Sequence, residues 1–102
     1  MIVIDSPLPN DVITSPLTIK GKARGPWFFE ASFPVRLLDD SGKEIATTAA
    51  QADGEWMTED FVPFTATLTF TTTAKTGTLV LQKDNPSGLP ENDGSVRMDV
   101  KF

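Results

Sequence analysis

The chain contains no cysteine, no histidine and no tyrosine among its 102 residues. Without cysteine it cannot be a disulfide scaffold, although that alone is compatible with the cytosol or with a bacterial exterior. Without histidine or cysteine there is no Ser-His-Asp triad, no thiolate nucleophile and no ordinary zinc site. Basic residues are few: 9 Lys and Arg stand against 14 Asp and Glu, a net charge of −5. Nucleic-acid binding by phosphate neutralisation needs clustered cations, so this balance argues against it. Apolar runs such as Trp27-Phe28-Phe29 and Leu79-Val80-Leu81 fall far short of the ~20 residues of a membrane span. The segment Met1 to Asp5 has neither the basic start nor the long apolar stretch of a signal peptide.

What the chain does have is strand chemistry. Its length suits a single domain spanning residues 1–102, and 13 residues are threonine, which fits a pleated surface. Both ends are strand-like, as in a domain cut from a longer protein. Seven strands are predicted: Ile2–Ile4, Leu17–Ala23, Phe33–Leu38, Lys43–Thr48, Phe64–Thr71, Thr78–Lys83 and Ser95–Phe102. Prolines 7 and 9 stiffen the connector after the first. Pro34 lacks a ladder donor and predicts an edge or a bulge for the third strand. Asp39-Asp40-Ser41-Gly42 is a tight-turn signal. Residues 44–51 could be read as helical on their alanines, but Thr47-Thr48 and the preceding turn favour a strand.

Periodicity is clearest in two places. Phe64, Ala66, Leu68 and Phe70 alternate with four threonines, and Val96, Met98, Val100 and Phe102 alternate with Ser95, Arg97, Asp99 and Lys101. One face of each strand is therefore buried and the other wet. The expected core is Phe33, Val35, Leu37, Phe64, Leu68, Phe70, Leu79, Leu81, Val96, Met98 and Val100. Seven short strands with frequent turns predict an all-β, seven-stranded antiparallel immunoglobulin-like β-sandwich without a disulfide. Fibronectin-III or cadherin-like wiring is the alternative, because architecture is better determined than topology.

The segment Ser15-Pro16-Leu17-Thr18-Ile19-Lys20-Gly21-Lys22-Ala23 resembles the SPL-x-V-x-G-x-A opening of the Gmad2 family, the immunoglobulin-like domain associated with bacterial spore germination. Residues 27–35 (Trp27 to Val35), Asp40-x-Gly42, Trp56, the Phe64 to Phe70 strand and Val100-Lys101-Phe102 resemble it too, in order and over nearly the whole chain. The resemblance implies a non-catalytic module of a bacterial cell-envelope or secreted protein, acting as a spacer or as a protein or glycan interaction domain. It brings no catalytic residue with it.

In a sandwich of this order the loops at residues 24–32, 49–61 and 84–94 share one pole. They hold Trp27, Phe28, Phe29, Trp56 and Met57. They also hold eight carboxylates (Glu30, Asp53, Glu55, Glu59, Asp60, Asp84, Glu91, Asp93) against Arg24, a net −7 that leaves +2 for the remainder. Loop clusters on a rigid frame are where function usually sits. The ligand-binding candidates are Arg24, Trp27, Phe28, Glu30, Trp56, Asp84, Asn85 and Glu91. Trp27 and Trp56 would stack a sugar ring; alternatively, Trp27, Phe29 and Trp56 plug the open end of the core and the carboxylates are solvated loop charges.

No cofactor is required by these residues, but Asp84, Asn85, Asn92 and Asp93 in the long 83–94 loop are oxygen donors of the kind calcium takes; Asx turns are the plainer explanation. Glu55 with Glu59-Asp60 is the best acid/base grouping, and a small sandwich rarely builds the cleft that such chemistry needs. Lys20 and Lys22 are the candidates, by type only, for an intramolecular isopeptide bond. The expected partners are a protein or a cell-wall glycan, with no nucleic acid, no membrane insertion and a monomeric isolated domain.

Overall fold

The computed structural model describes residues 2–83 and 94–102. Seven strands run β1 (Ile2–Ser6), β2 (Leu17–Arg24), β3 (Ser32–Asp39), β4 (Glu44–Ala52), β5 (Phe61–Leu68), β6 (Thr76–Gln82) and β7 (Ser95–Lys101). A 3₁₀ turn, Gly25–Trp27, follows β2. All strand pairs are antiparallel, in the order β1-β2-β5-β4-β3-β6-β7.

This sheet is folded over on itself into two layers. Its weak joint is the β4–β5 ladder, which has only the pairs Gln51–Thr65 and Ala52–Phe64. On one side of the joint β5 pairs with β2 along its whole length, from Phe61–Arg24 to Leu68–Leu17. On the other, β3 is held between β4 and β6. The inner faces meet in one core that takes Ile19, Ala23, Val62, Phe64 and Leu68 from the first layer. Phe33, Val35, Leu37, Leu79, Leu81, Met98 and Val100 come from the second. The rings of Phe33 and Phe64 touch across the gap, 5.0 Å between centroids at 80°, an edge-to-face arrangement favoured by the aromatic quadrupole. The chain is thus the expected immunoglobulin-like sandwich. Its fourth strand lies on the β3 side, unlike the partition of immunoglobulin constant domains, where it joins the layer of the first two strands.

The predicted core residues are buried or packed against the core, with Phe70 and Val96 partly exposed at its margin. Alternation in β5 begins earlier than expected, since Phe61 and Pro63 face out and Val62 faces in. Pro34 does not mark an edge: β3 is a central strand, and the irregularity in its pairing with β4 falls between Leu37 and Leu38. The β3–β6 ladder runs only from Val35 to Asp39. Pro34 therefore has a strand neighbour on one side alone, where a missing donor is tolerable. The β1–β2 connector lies alongside β7, with Asn10 N donating to Asp99 O and Ile13 N to Lys101 O, and with Lys101 N donating to Asp11 O. Gly21 is required by packing: a Cβ there would run into the backbone carbonyl of Val3 and the Phe64 ring.

Leu68 is 1% exposed, so Leu68→Ala should lose about 2–5 kcal/mol, whereas Thr67→Ala on the opposite face should lose less than about 0.5 kcal/mol. Urea unfolding of the two variants checks the register, and equal losses would show it to be wrong.

Candidate functional site

The loop pole exists as a physical unit. Gly25 N donates to Asp60 O, Arg24 Nη1 donates to Glu59 O at 3.0 Å, and a Cβ on Gly25 would collide with the carbonyls of Thr58 and Trp56. The β2–β3 and β4–β5 loops are therefore in contact. Lys83 N donates to Gly94 O, and a Cβ on Gly94 would lie 3.4 Å from the Trp27 ring. That brings the two ends of the β6–β7 connection to the same pole.

The aromatics divide by burial. Trp27 and Phe28 are each 4% exposed and belong to the core. Both rings stand edge-on to Phe33, at 6.4 and 5.3 Å. Their expected place as ligand contacts is thus corrected: neither ring has an open face, because both cap the core beneath the pole. The paired-tryptophan sugar platform is not formed. Trp27 Nε1 is buried and has no hydrogen-bond partner among the described residues. Trp56 is partly exposed and Phe29 exposed, with Phe29 N and Ser32 N closing a small turn by bonds to each other's carbonyls. Glu30 is exposed in a left-handed conformation, φ 51°, next to Ala31 at φ 65°.

The acidic groups mostly brace their own loops. Glu55 Oε1 accepts from Met57 N, Asp60 Oδ2 accepts from the Thr58 hydroxyl at 3.4 Å, and Asp53 Oδ2 accepts from the Thr65 hydroxyl at 2.8 Å. Glu55, Glu59 and Asp60 are exposed; the Glu55 carboxylate is bonded to Met57 N and the Asp60 carboxylate to the Thr58 hydroxyl, not to one another. The calcium candidates Asp84, Asn85, Asn92 and Asp93, and the ligand candidate Glu91, lie outside the described residues. Lys20 and Lys22 are exposed, which corrects the isopeptide expectation, since that chemistry needs a buried lysine beside a carboxylate.

Two features escaped the sequence reading. Arg24 and Lys22 both sit over the exposed Phe61 ring, at 4.8 and 5.2 Å from its centroid. This cation–π ladder follows from the β2–β5 register, in which Arg24 faces Phe61. At the opposite pole, Asp39 Oδ1 accepts from Ser41 N, Ser41 Oγ and Lys43 N. The Ser41 hydroxyl first, and then the Lys43 amide, hold the Asp39 carboxyl below its ordinary value. A groove of about 590 Å³ lies beside this turn, lined by residues that include Asn10, Leu38, Ser41, Thr78, Arg97 and Asp99. It carries no aromatic side chain.

The fold and the pole define an immunoglobulin-like module. The family model for Gmad2, the immunoglobulin-like domain of bacterial spore germination, matches residues 1–89. The chain belongs to that family. No curated protein and no solved structure matches it.

Trp27 emission, isolated in a Trp56→Phe variant, should be blue-shifted and resist acrylamide quenching. Trp27→Ala should cost about 3–5 kcal/mol. Free quenching with a small loss on unfolding would mean that Trp27 is a surface residue.

Proposed function

We propose that this domain is a non-catalytic module of a bacterial envelope or secreted protein, working through backbone and surface contacts with a protein partner or as a rigid spacer. The observation that supports this reading is the placement of Trp27 and Phe28 in the core. Of the pole residues that would serve a glycan, Trp27 and Phe28 are committed to holding the frame closed, while Arg24, Glu30 and Trp56 stay at the surface. The carboxylates nearby stabilise turns rather than converging on a substrate position. The bacterial setting follows from the family's description, and no helix among the described residues is long and apolar enough to cross a membrane. Catalysis has no support from a converging acid/base pair.

The experiment is a tryptophan-emission titration of the full chain with soluble cell-wall glycan fragments. The proposal expects an unchanged spectrum at millimolar glycan. A saturable change that Trp56→Ala abolishes would return the glycan-binding reading in its place.

A further inference from the structure

A sandwich must do something with its outer strand edges, because each presents a row of unpaired N–H and C=O groups. Two edges of this molecule are managed. The outer side of β7 is covered by the backbone of residues 10–13 from Asp99 to Lys101, and the remainder of that edge carries the charge of Arg97. The outer strand β1 is only five residues long, carries Asp5, and is irregular between Ile4 and Ser6. The third edge is different. Beyond Gln51–Thr65 the strands β4 and β5 part, and among the described residues no strand pairs with β4 on that side from Glu44 to Ala50. Continuing their register would set Glu44 opposite Thr72. A groove of about 370 Å³ lies there, between Glu44, Ile45 and Thr71 to Thr73.

The direction of the backbone groups follows from two hydrogen bonds. Ala52 N donates to Ala31 O on the β3 side, and Asp53 N donates to Pro63 O on the β5 side. Alternation along an extended strand then turns the N–H and C=O of Gln51, Ala49 and Thr47 outward. Gln51 meets Thr65, whereas Ala49 and Thr47 meet no strand among the described residues. Their side chains are exposed and small. From Ile45 to Ala50 the edge has no charge, no proline and no glycine. Charge, proline and glycine are missing where the backbone is open, and the one irregularity of the strand, at Ile45, lies at the end of this run.

We infer that the β4 edge, centred on Thr47 and Ala49, is a strand-addition site for an extended segment of a partner protein. It deepens the reading of this domain as a protein-interaction module and rests on it. Backbone bonds would supply the affinity and alternate side chains the selectivity. The occupant is a segment with small or β-branched residues at its centre and a lysine or arginine at the end beside the β4–β5 loop. Charge selects it: Asp53, Glu55, Glu59 and Asp60 are all exposed at that end of β4, where Arg24 is bonded to the Glu59 backbone carbonyl and not to a carboxylate. Overall charge disfavours a second copy, since two chains of net charge −5 repel, although antiparallel pairing of two β4 edges about Thr47 and Ala49 would set Lys43 of one molecule opposite Asp53 of the other.

The test uses the full chain and a nine-residue peptide of alternating threonine and valine with a lysine at each end. Amide hydrogen exchange and ¹H–¹⁵N chemical shifts are followed on the protein. At millimolar peptide, Thr47 and Ala49 amides should slow at least tenfold and shift. A glutamate-ended peptide should bind at least tenfold more weakly, and a proline-interrupted one should not bind. Ala49→Pro, which removes an outward donor, should abolish the effect; wild-type exchange keeps the test valid if that variant does not fold. Unchanged Thr47 and Ala49 amides overturn the proposal, whether the peptide binds elsewhere or not at all. Binding elsewhere would leave the interaction-module reading standing. A concentration-dependent dimer through β4 in the absence of peptide would overturn the choice of a foreign segment in favour of a second copy.

Discussion

Everything in this molecule depends on the meeting of two inner faces whose strands are barely joined to each other. The β4–β5 ladder contributes two residue pairs to hold the layers together. Beyond that ladder and the backbone bonds of the β1–β2 connector to β7, the connection is apolar contact, with Phe33 against Phe64 at its centre and Trp27 and Phe28 edge-on to Phe33 above. A sandwich of about 100 residues has no disulfide to fall back on here, so burial of alternating side chains must outweigh the entropy of ordering seven strands. That explains why the pole aromatics turn inward. With a core so short along the strand direction, a tryptophan at its end stabilises the fold more by closing the top than by waiting for a ligand.

The consequences run outward from that constraint. Since the pole is closed by its own aromatics, the neighbouring carboxylates are left on the rim, where Glu55 accepts from a turn amide, Asp53 and Asp60 accept from threonine hydroxyls, and together they give the end of the molecule its acidity. β5 pairs with β2 along its whole length but with β4 only at Phe64 and Thr65, so the seam opens beyond Thr65. Rigidity at the pole and openness at the seam are two results of one strand order.

Much of this was legible in the sequence, and the failures have physical reasons. The alternation from Phe64 to Phe70 and from Val96 to Phe102 is legible because one-sided burial writes itself as a period of two. Val62 was missed because Pro63 breaks the propensity pattern without breaking the register. Pro34 misled because a proline reports only on its own donor: β3 is central, but its ladder with β6 starts one residue later. Trp27 and Phe28 could not be assigned from type alone, since a large apolar ring in a loop suits a plug and a binding platform equally well. The open β4 edge left a faint signal, a run from Ile45 to Ala50 free of charge and proline. That signal has meaning only once the neighbours of β4 are known.

The most direct measurement is a double-mutant cycle between Phe33→Leu and Phe64→Leu, read by equilibrium unfolding. If the two layers are held through this contact, the two losses should be non-additive by about 0.5–1.5 kcal/mol. Additivity within about 0.3 kcal/mol would mean that the rings do not meet, and the two-layer account of this domain would be contradicted.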